Sequence, residues 1–279
     1  MTIRIVVDST CDLPTEVIRE QSIAVIPILV HIGSQEYRDG IDLSREQFYK
    51  QLHGLRHLPA TAAPGYQAFR QTYERLAAEG ATEILSIHIS HKLSAVLDIA
   101  RWAAQETSTI PVTVFDSCQL SLGTGFQVQS AAQAVKDGRT MNAILDMLNA
   151  QIARTHVFAA LDTLEYMRRG GRMNGAVTAL GDLLQIKPIL KMYRGDPTAE
   201  RVRTRAQAVK RLKELLAECA PFERVALVHT DAKARAQALL EEVRGVLPGG
   251  EIWIQEINPV LGAHIGPGVI GFACISSRK

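Results

Sequence analysis

A chain of 279 residues, 47% hydrophobic and 22% charged, carries enough apolar material for one large or two ordinary domains. Its formal net charge of +2 is too small for a general nucleic-acid binder. The longest apolar run, Ile23–Val30, contains a proline and falls far short of the roughly 20 residues a membrane span needs. Met1–Asp8 reads as a strand ending in an acid and lacks the longer apolar region of a signal peptide. Cys11, Cys118, Cys219 and Cys274 are scattered without a C-x-x-C pair, so neither a zinc knuckle nor a disulfide framework is indicated. Buried thiols in a reducing cytoplasm are expected instead.

In chain order, apolar runs predict strands at Ile3–Val7, Ala24–Val30, Ile84–Ile89, Val112–Phe115 and Val157–Ala160. Helical patterns fill the intervals. Ser44 suits the cap of Arg45–Leu52, with Gln47 completing a capping box. Pro64 suits the first turn of a helix running to about Ala78 and stopped by Gly80. Ser94 suits the cap of a helix through Val96, Leu97, Ala100 and Ala103, and Thr140 starts another through Ile152. This alternation predicts βαβ units and a mainly parallel sheet. After about Thr155 the pattern changes. A basic turn, Arg168-Arg169-Gly170-Gly171-Arg172, precedes a short helix at Val177–Leu184 and the run Ile186–Leu190. Helices over Arg203–Cys219 and Asp231–Val246 then alternate with strands Val225–His229, Ile252–Ile257 and Val269–Ile275. An α/β domain over 1–155 followed by an α+β domain over 156–279, with a smaller sheet, is the predicted organisation.

Two strands run straight into an acid-hydroxyl turn, at Asp8-Ser9-Thr10 and Asp116-Ser117. Ile84–Ser90 and Val225–Thr230 likewise end in a hydroxyl residue. Four such junctions are expected along the carboxyl edge of the parallel sheet, where open α/β sheets bind small ligands. Few groups suited to catalysis accompany them. Gly123-Thr124-Gly125 lacks the third glycine of a dinucleotide fingerprint, and tight packing accounts for both glycines. His88 with His91, and His53 with His57, have no evident third metal ligand. Asp8 and Asp12 read as capping groups more than as an acid-base pair. Arg201, Arg203, Arg205, Lys210, Arg211 and Lys213 read as a solvated strand end and helix face, or else, with Arg168, Arg169 and Arg172, as a docking patch for an acidic partner.

Thr61, Ser94 and His264 remain. Ser94 lies where free N–H groups at a helix start favour an anion, Thr61 lies before Pro64 at the mouth of its helix, and His264 lies in the glycine-rich stretch Gly262–Gly268, read as a loop. Two hydroxyls and an imidazole suit a carboxylate on a greasy molecule, since a lone buried cation would cost several kcal/mol.

The motifs Asp8–Pro14, Thr61–Pro64, Ile89–Ser94, Asp116-Ser117, Gly123–Gly125, Gly170–Arg172, Ile186–Pro188 and Gly266–Gly268, in this order and spacing, resemble the DegV family, which includes the fatty-acid-binding components of bacterial fatty acid kinase. The match runs from about residue 3 to 277. The resemblance implies a two-domain fold similar to the dihydroxyacetone-binding subunit of dihydroxyacetone kinases. It implies a buried long-chain fatty acid, such as palmitate, whose carboxylate meets Thr61, Ser94 and His264. It also implies a cytoplasmic carrier that is not itself an enzyme, needs no cofactor and serves a separate ATP-dependent kinase, whose acyl phosphate product feeds phospholipid synthesis. Arg172, Arg201 and Arg203 would dock that partner. Leu93, Val96, Leu97, Leu120, Phe126, Ile186, Ile189 and Ile265 are candidates for the acyl tunnel, about half of them expected to be simply core. Two departures stand out. Ala62 follows Thr61 where the family carries a serine, and Ala95-Val96-Leu97 follows Ser94 where it carries Gly-Thr-Tyr; the added apolar bulk is expected to narrow or reshape the tunnel. The competing readings are a stand-alone enzyme of the dihydroxyacetone kinase type and a lipid-responsive regulatory or docking module.

Overall fold

The computed structural model describes residues 2–55, 57–172 and 186–278. Strand β1 (Ile3–Asp8) turns through Ser9–Cys11 into the short helix α1 (Thr15–Glu20) and is joined by β2 (Ala24–Ile26), parallel to it. The single strand expected over Ala24–Val30 is two strands. Pro27 has no N–H for a ladder, so β2 ends at Ile26 and β3 (Leu29–Ile32) leaves to form a hairpin with β4 (Gln35–Arg38). Helix α2 (Arg45–Leu52) has the Ser44–Gln47 capping box. Beyond it, β5 (Ala60–Ala62) pairs antiparallel with β3, and Thr61 stands opposite Val30. Thr61 is therefore a strand residue and not the mouth of a helix. Helix α3 (Tyr66–Ala78) begins two residues after Pro64, with Gly65 as its N-cap.

Strand β6 (Glu83–His88), helix α4 (Val96–Glu106) and strand β7 (Val112–Asp116) complete a four-stranded parallel sheet in the order β2-β1-β6-β7. Helices α5 (Ser121–Lys136) and α6 (Met141–Ile152) follow. Gly123 and Gly125 lie inside α5 and form no loop. A Cβ at Gly123 would sit 2.7 Å from Val157 Cγ2, and one at Gly125 2.4 Å from the Cys11 carbonyl oxygen. Close packing of α5 on β1's turn and on the second sheet is what requires them.

That second sheet starts with β8 (Thr155–Ala160). After α7 (Glu165–Arg169) come the hairpin β9 (Lys187–Tyr193) and β10 (Asp196–Val202), then α8 (Arg205–Cys219) and β11 (Phe222–His229). Helix α9 (Lys233–Val243), β12 (Ile254–Glu256), α10 (Pro259–Ile265) and β13 (Ile270–Ser276) close the chain. The strand order is β10-β9-β8-β13-β11-β12, with only β11 and β12 parallel. This mixed sheet has six strands, not the fewer expected, because the run from Ile186 continues into a hairpin. The helix expected at Val177–Leu184 lies outside the described residues. Another difference is α10, where a glycine-rich loop was expected. Asn258 caps it through a side-chain bond from Leu261 N–H, Pro259 occupies its first turn, and Gly266, at φ +74°, ends it.

The six-stranded sheet buries both faces. Phe158, Ile189 and Phe272 pack under α8 and α9 with Leu212 and Leu239. On the opposite face Val157, Met192, Val228 and Ile275 join a larger core that reaches Val6 and Ile87 of the parallel sheet. The four strand-to-hydroxyl junctions do not share one edge. Three end parallel strands of the first sheet, whereas Thr230 follows β11 of the second.

Candidate functional site

A cavity of about 350 Å³ lies between the six-stranded sheet, the strand-end turns of the parallel sheet and β5 of the three-stranded sheet β4-β3-β5, and Thr61, Ser94 and His264 all line it. Its walls are mainly apolar: Ile89 and Leu93 beyond β6, Leu120 before α5, Val157 and Ala159 along β8 with Leu161 just past its end, and Leu190 and Met192 along β9. Alternation explains the last two groups. Side chains two apart on a strand share a face, and the register places Val157 opposite Met192 and Ala159 opposite Leu190. Ile189 therefore points away, into the core beneath α8. Of the expected tunnel residues, Leu93, Leu120 and Ile265 line the cavity. Val96, Leu97, Phe126, Ile186 and Ile189 are buried elsewhere. The period-2 pattern of Val157, Ala159 and Leu161 was the available signal for the residues missed.

Polar groups gather where β5, α4 and α10 converge. Thr61 Oγ1 lies 2.7 Å from His264 Nε2, joining residues 203 positions apart. The register of β5 on β3 sets Thr61 in place, and the Asn258 cap and Gly266 stop fix the last turn of α10, which carries His264. Ser94 is not the N-cap of α4. Ala95 holds that position, and Ser94 Oγ accepts a 3.3 Å bond from Val96 N–H, because Ser90 O takes the N–H groups of Leu93 and Ser94 in a tight turn before the helix. Burial, and then the charge of Arg172, push the His264 imidazole down to about 4, so the ring is neutral at physiological pH. Neither Ala62 nor Ala95 lines the cavity. Strand alternation turns Ala62 away from Thr61's face, and Ala95 is exposed, so the anticipated reshaping by these departures does not arise at the wall.

The junction hydroxyls serve the scaffold. Ser9 accepts from Ile28 N–H, Ser117 bonds Thr124 and Gln119, and Thr230 joins Gly266 O to Val269 N–H. A neighbouring pair of acids is equally structural. Asp8 accepts from Thr10, His88 and Ile89, and these bonds outweigh burial and hold its carboxyl below the ordinary range. Asp12 meets Arg45, Asn258 and Ser121. The series Asp8–His88–Ser86–Tyr73, with steps of 3.0, 2.7 and 2.9 Å, has the acid-imidazole-hydroxyl order of a hydrolase triad. All four side chains are fully buried and none lines the cavity, so no substrate reaches Ser86. Burial raises the Cys11 thiol to about 12 and the Cys118 thiol to about 11, the reverse of an activated nucleophile. Among the described residues no group of three His, Cys, Asp or Glu could hold a metal.

The basic residues divide. Arg172 is exposed at the cavity wall, its Nη1 donating to Gly170 O at 2.7 Å. Arg201 and Arg203 are exposed at the end of edge strand β10. By contrast Arg205, Lys210, Arg211 and Lys213 all pair with carboxylates, which removes them from a free basic face.

The sequence profile described as "Uncharacterised protein, DegV family" matches residues 2–277. The chain belongs to the DegV family. Among its DegV relatives, a DegV domain-containing protein of Streptomyces coelicolor is 34% identical, over 99% of each chain. A DegV family protein from Thermus thermophilus, solved for its fatty acid binding, superposes with a TM-score of 0.89 at 33% identity, covering 99% of this chain and 100% of its own. DegV of Bacillus subtilis, described as a fatty acid binding protein, gives 0.89 at 29% identity with the same coverage. The mixed α/β architecture with a parallel sheet is that of these DegV structures. No helix among the described residues is long and apolar enough to cross a membrane.

Proposed function

We propose that this chain binds a long-chain fatty acid in the cavity between its sheets, with the carboxylate held by the Thr61 and Ser94 hydroxyls and the His264 imidazole. One observation carries the reading: an apolar cavity of about 350 Å³ whose polar lining includes a hydroxyl-imidazole pair at 2.7 Å. Burying an acyl chain contributes about 0.8 kcal/mol per methylene, so a dozen methylenes supply on the order of 10 kcal/mol and the head group chiefly fixes orientation. Hydrogen bonds to a charged group are worth about 1.5–3 kcal/mol each, and neutral donors provide them without a buried permanent cation. The fatty acid binding described for the relatives from Thermus thermophilus and Bacillus subtilis supports the same assignment.

In this reading the protein is a cytoplasmic carrier of two domains, 1–155 and 156–279, with no cofactor and no catalysis of its own. A separate ATP-dependent fatty acid kinase subunit phosphorylates the presented carboxylate, and the acyl phosphate enters phospholipid synthesis. Arg172, Arg201 and Arg203 form the docking face for that subunit. Mass spectrometry of lipid extracted from the purified protein tests the core of the proposal. A co-purifying fatty acid, or uptake of palmitate or oleate after delipidation, is the expected result; neither appearing overturns it.

A further inference from the structure

A ring nitrogen and a hydroxyl 2.7 Å apart share one proton, and either His264 Nε2 or Thr61 Oγ1 can supply it. The other ring nitrogen decides which. His264 is only 9% exposed, and its Nδ1 is buried without a hydrogen-bond partner among the described residues. The backbone of Gly170 occupies the space in front of it: a Cβ on Gly170 would lie 2.7 Å from Nδ1. Neither polar group of Gly170 bonds the ring. Its N–H donates to Tyr166 O at 2.8 Å and its carbonyl accepts from Arg172 Nη1 at 2.7 Å.

A neutral imidazole has one N–H. A proton on Nδ1 would press a buried, unsatisfied donor against the Gly170 methylene. A proton on Nε2 leaves a lone pair there, which a Cα–H accommodates as a weak donor, and buried acceptors go unpaired more readily than buried N–H groups. We infer that Gly170 is a positioning residue that fixes His264 as its Nε2–H tautomer, so that the imidazole donates to Thr61 Oγ1 and frees the Thr61 hydroxyl proton for the ligand's carboxylate. Within the proposed carboxylate site His264 then contributes by way of Thr61, orienting its proton toward the cavity. Any side chain at 170 displaces the ring and returns the Thr61 proton to other acceptors. The role given to the carboxylate rests on the lipid-binding reading; the tautomer and the contact with Gly170 do not.

Long-range proton–nitrogen correlation spectra of ¹⁵N-labelled protein at pH 7.5, with the His264 signals assigned by their loss in His264→Gln, test the inference. The expected pattern is a protonated Nε2 and an unprotonated Nδ1. Gly170→Ala should shift these signals and weaken palmitate binding roughly tenfold, the loss of about one good hydrogen bond. In a His264→Gln background the same change should have little further effect on palmitate affinity. A protonated Nδ1 overturns the inference, as do unchanged His264 signals in Gly170→Ala. Should Gly170→Ala fail to fold, the wild-type spectrum alone decides the tautomer. An Nε2–H pattern in a protein that takes up no palmitate leaves the tautomer standing and removes the lipid reading.

Discussion

Ala159→Leu places a side chain where the acyl chain should run. Ala159 lines the cavity from β8, and its cross-strand neighbours are Leu190 on one side and Gly271 on the other. Gly271 has no side chain, and its backbone lies so close that a Cβ there would be 2.6 Å from that of Ala159. The three carbons that leucine adds have the void to enter. They displace about three methylenes of ligand, which at about 0.8 kcal/mol each amounts to about 2.4 kcal/mol, or roughly a 50-fold rise in Kd for palmitate. The unliganded protein should be as stable as wild type or more so, because filling a void restores packing contacts. Calorimetric titration of delipidated protein with palmitate, beside urea unfolding without ligand, measures both quantities. A folded variant that binds palmitate as wild type does would refute the placement of the chain against β8.

The head-group assignment predicts that Thr61→Ala combined with Ser94→Ala weakens palmitate binding by roughly a hundredfold through lost bonds to a charged acceptor, with an unchanged circular dichroism spectrum; equal affinity would remove both residues from the site. His264 carries a pH dependence of defined sign. Its folded pKa of about 4 lies below the ordinary histidine value of 6.5, so the unfolded chain takes up the proton first as pH falls. Stability present above pH 6.5 is lost progressively down to about 4, by at most about 3 kcal/mol. Urea titrations should therefore show wild type losing ground to His264→Gln between pH 7 and 4.5. Gly125→Ala should destabilise the fold by several kcal/mol, because its Cβ would meet the Cys11 carbonyl oxygen at 2.4 Å and backbone must move to admit it; a melting temperature equal to wild type would contradict that packing.

Much of the scaffold was legible because its signals are local. The Ser44–Gln47 box, the Thr140 cap and the parallel strands β1, β6 and β7 all follow from patterns a few residues long. The elements missed were those whose local pattern is weak. Strand β4, Gln35–Arg38, has no buried residue, and β5 has three residues whose structure depends on pairing with β3. Helix α10 was hidden by glycines that suggest a loop. Gly262 sits inside it because a Cβ there would lie 2.4 Å from the Tyr49 hydroxyl, a contact 213 residues distant in the chain.

By itself the sequence determined the class of the fold and its family, which are written in periodicity and in ordered motifs, and it put forward Thr61, Ser94 and His264, three of the polar residues that line the cavity. Only the tertiary structure decided which apolar residues face that cavity and which fill the core, sending Leu190 and Met192 one way and Ile189 the other. It also joined Thr61 to His264 and set Gly170 against the ring. A local period such as that of Val157, Ala159 and Leu161 groups residues on one face, but what that face meets, and which distant groups touch, depend on sheet register and on residues far apart in the chain.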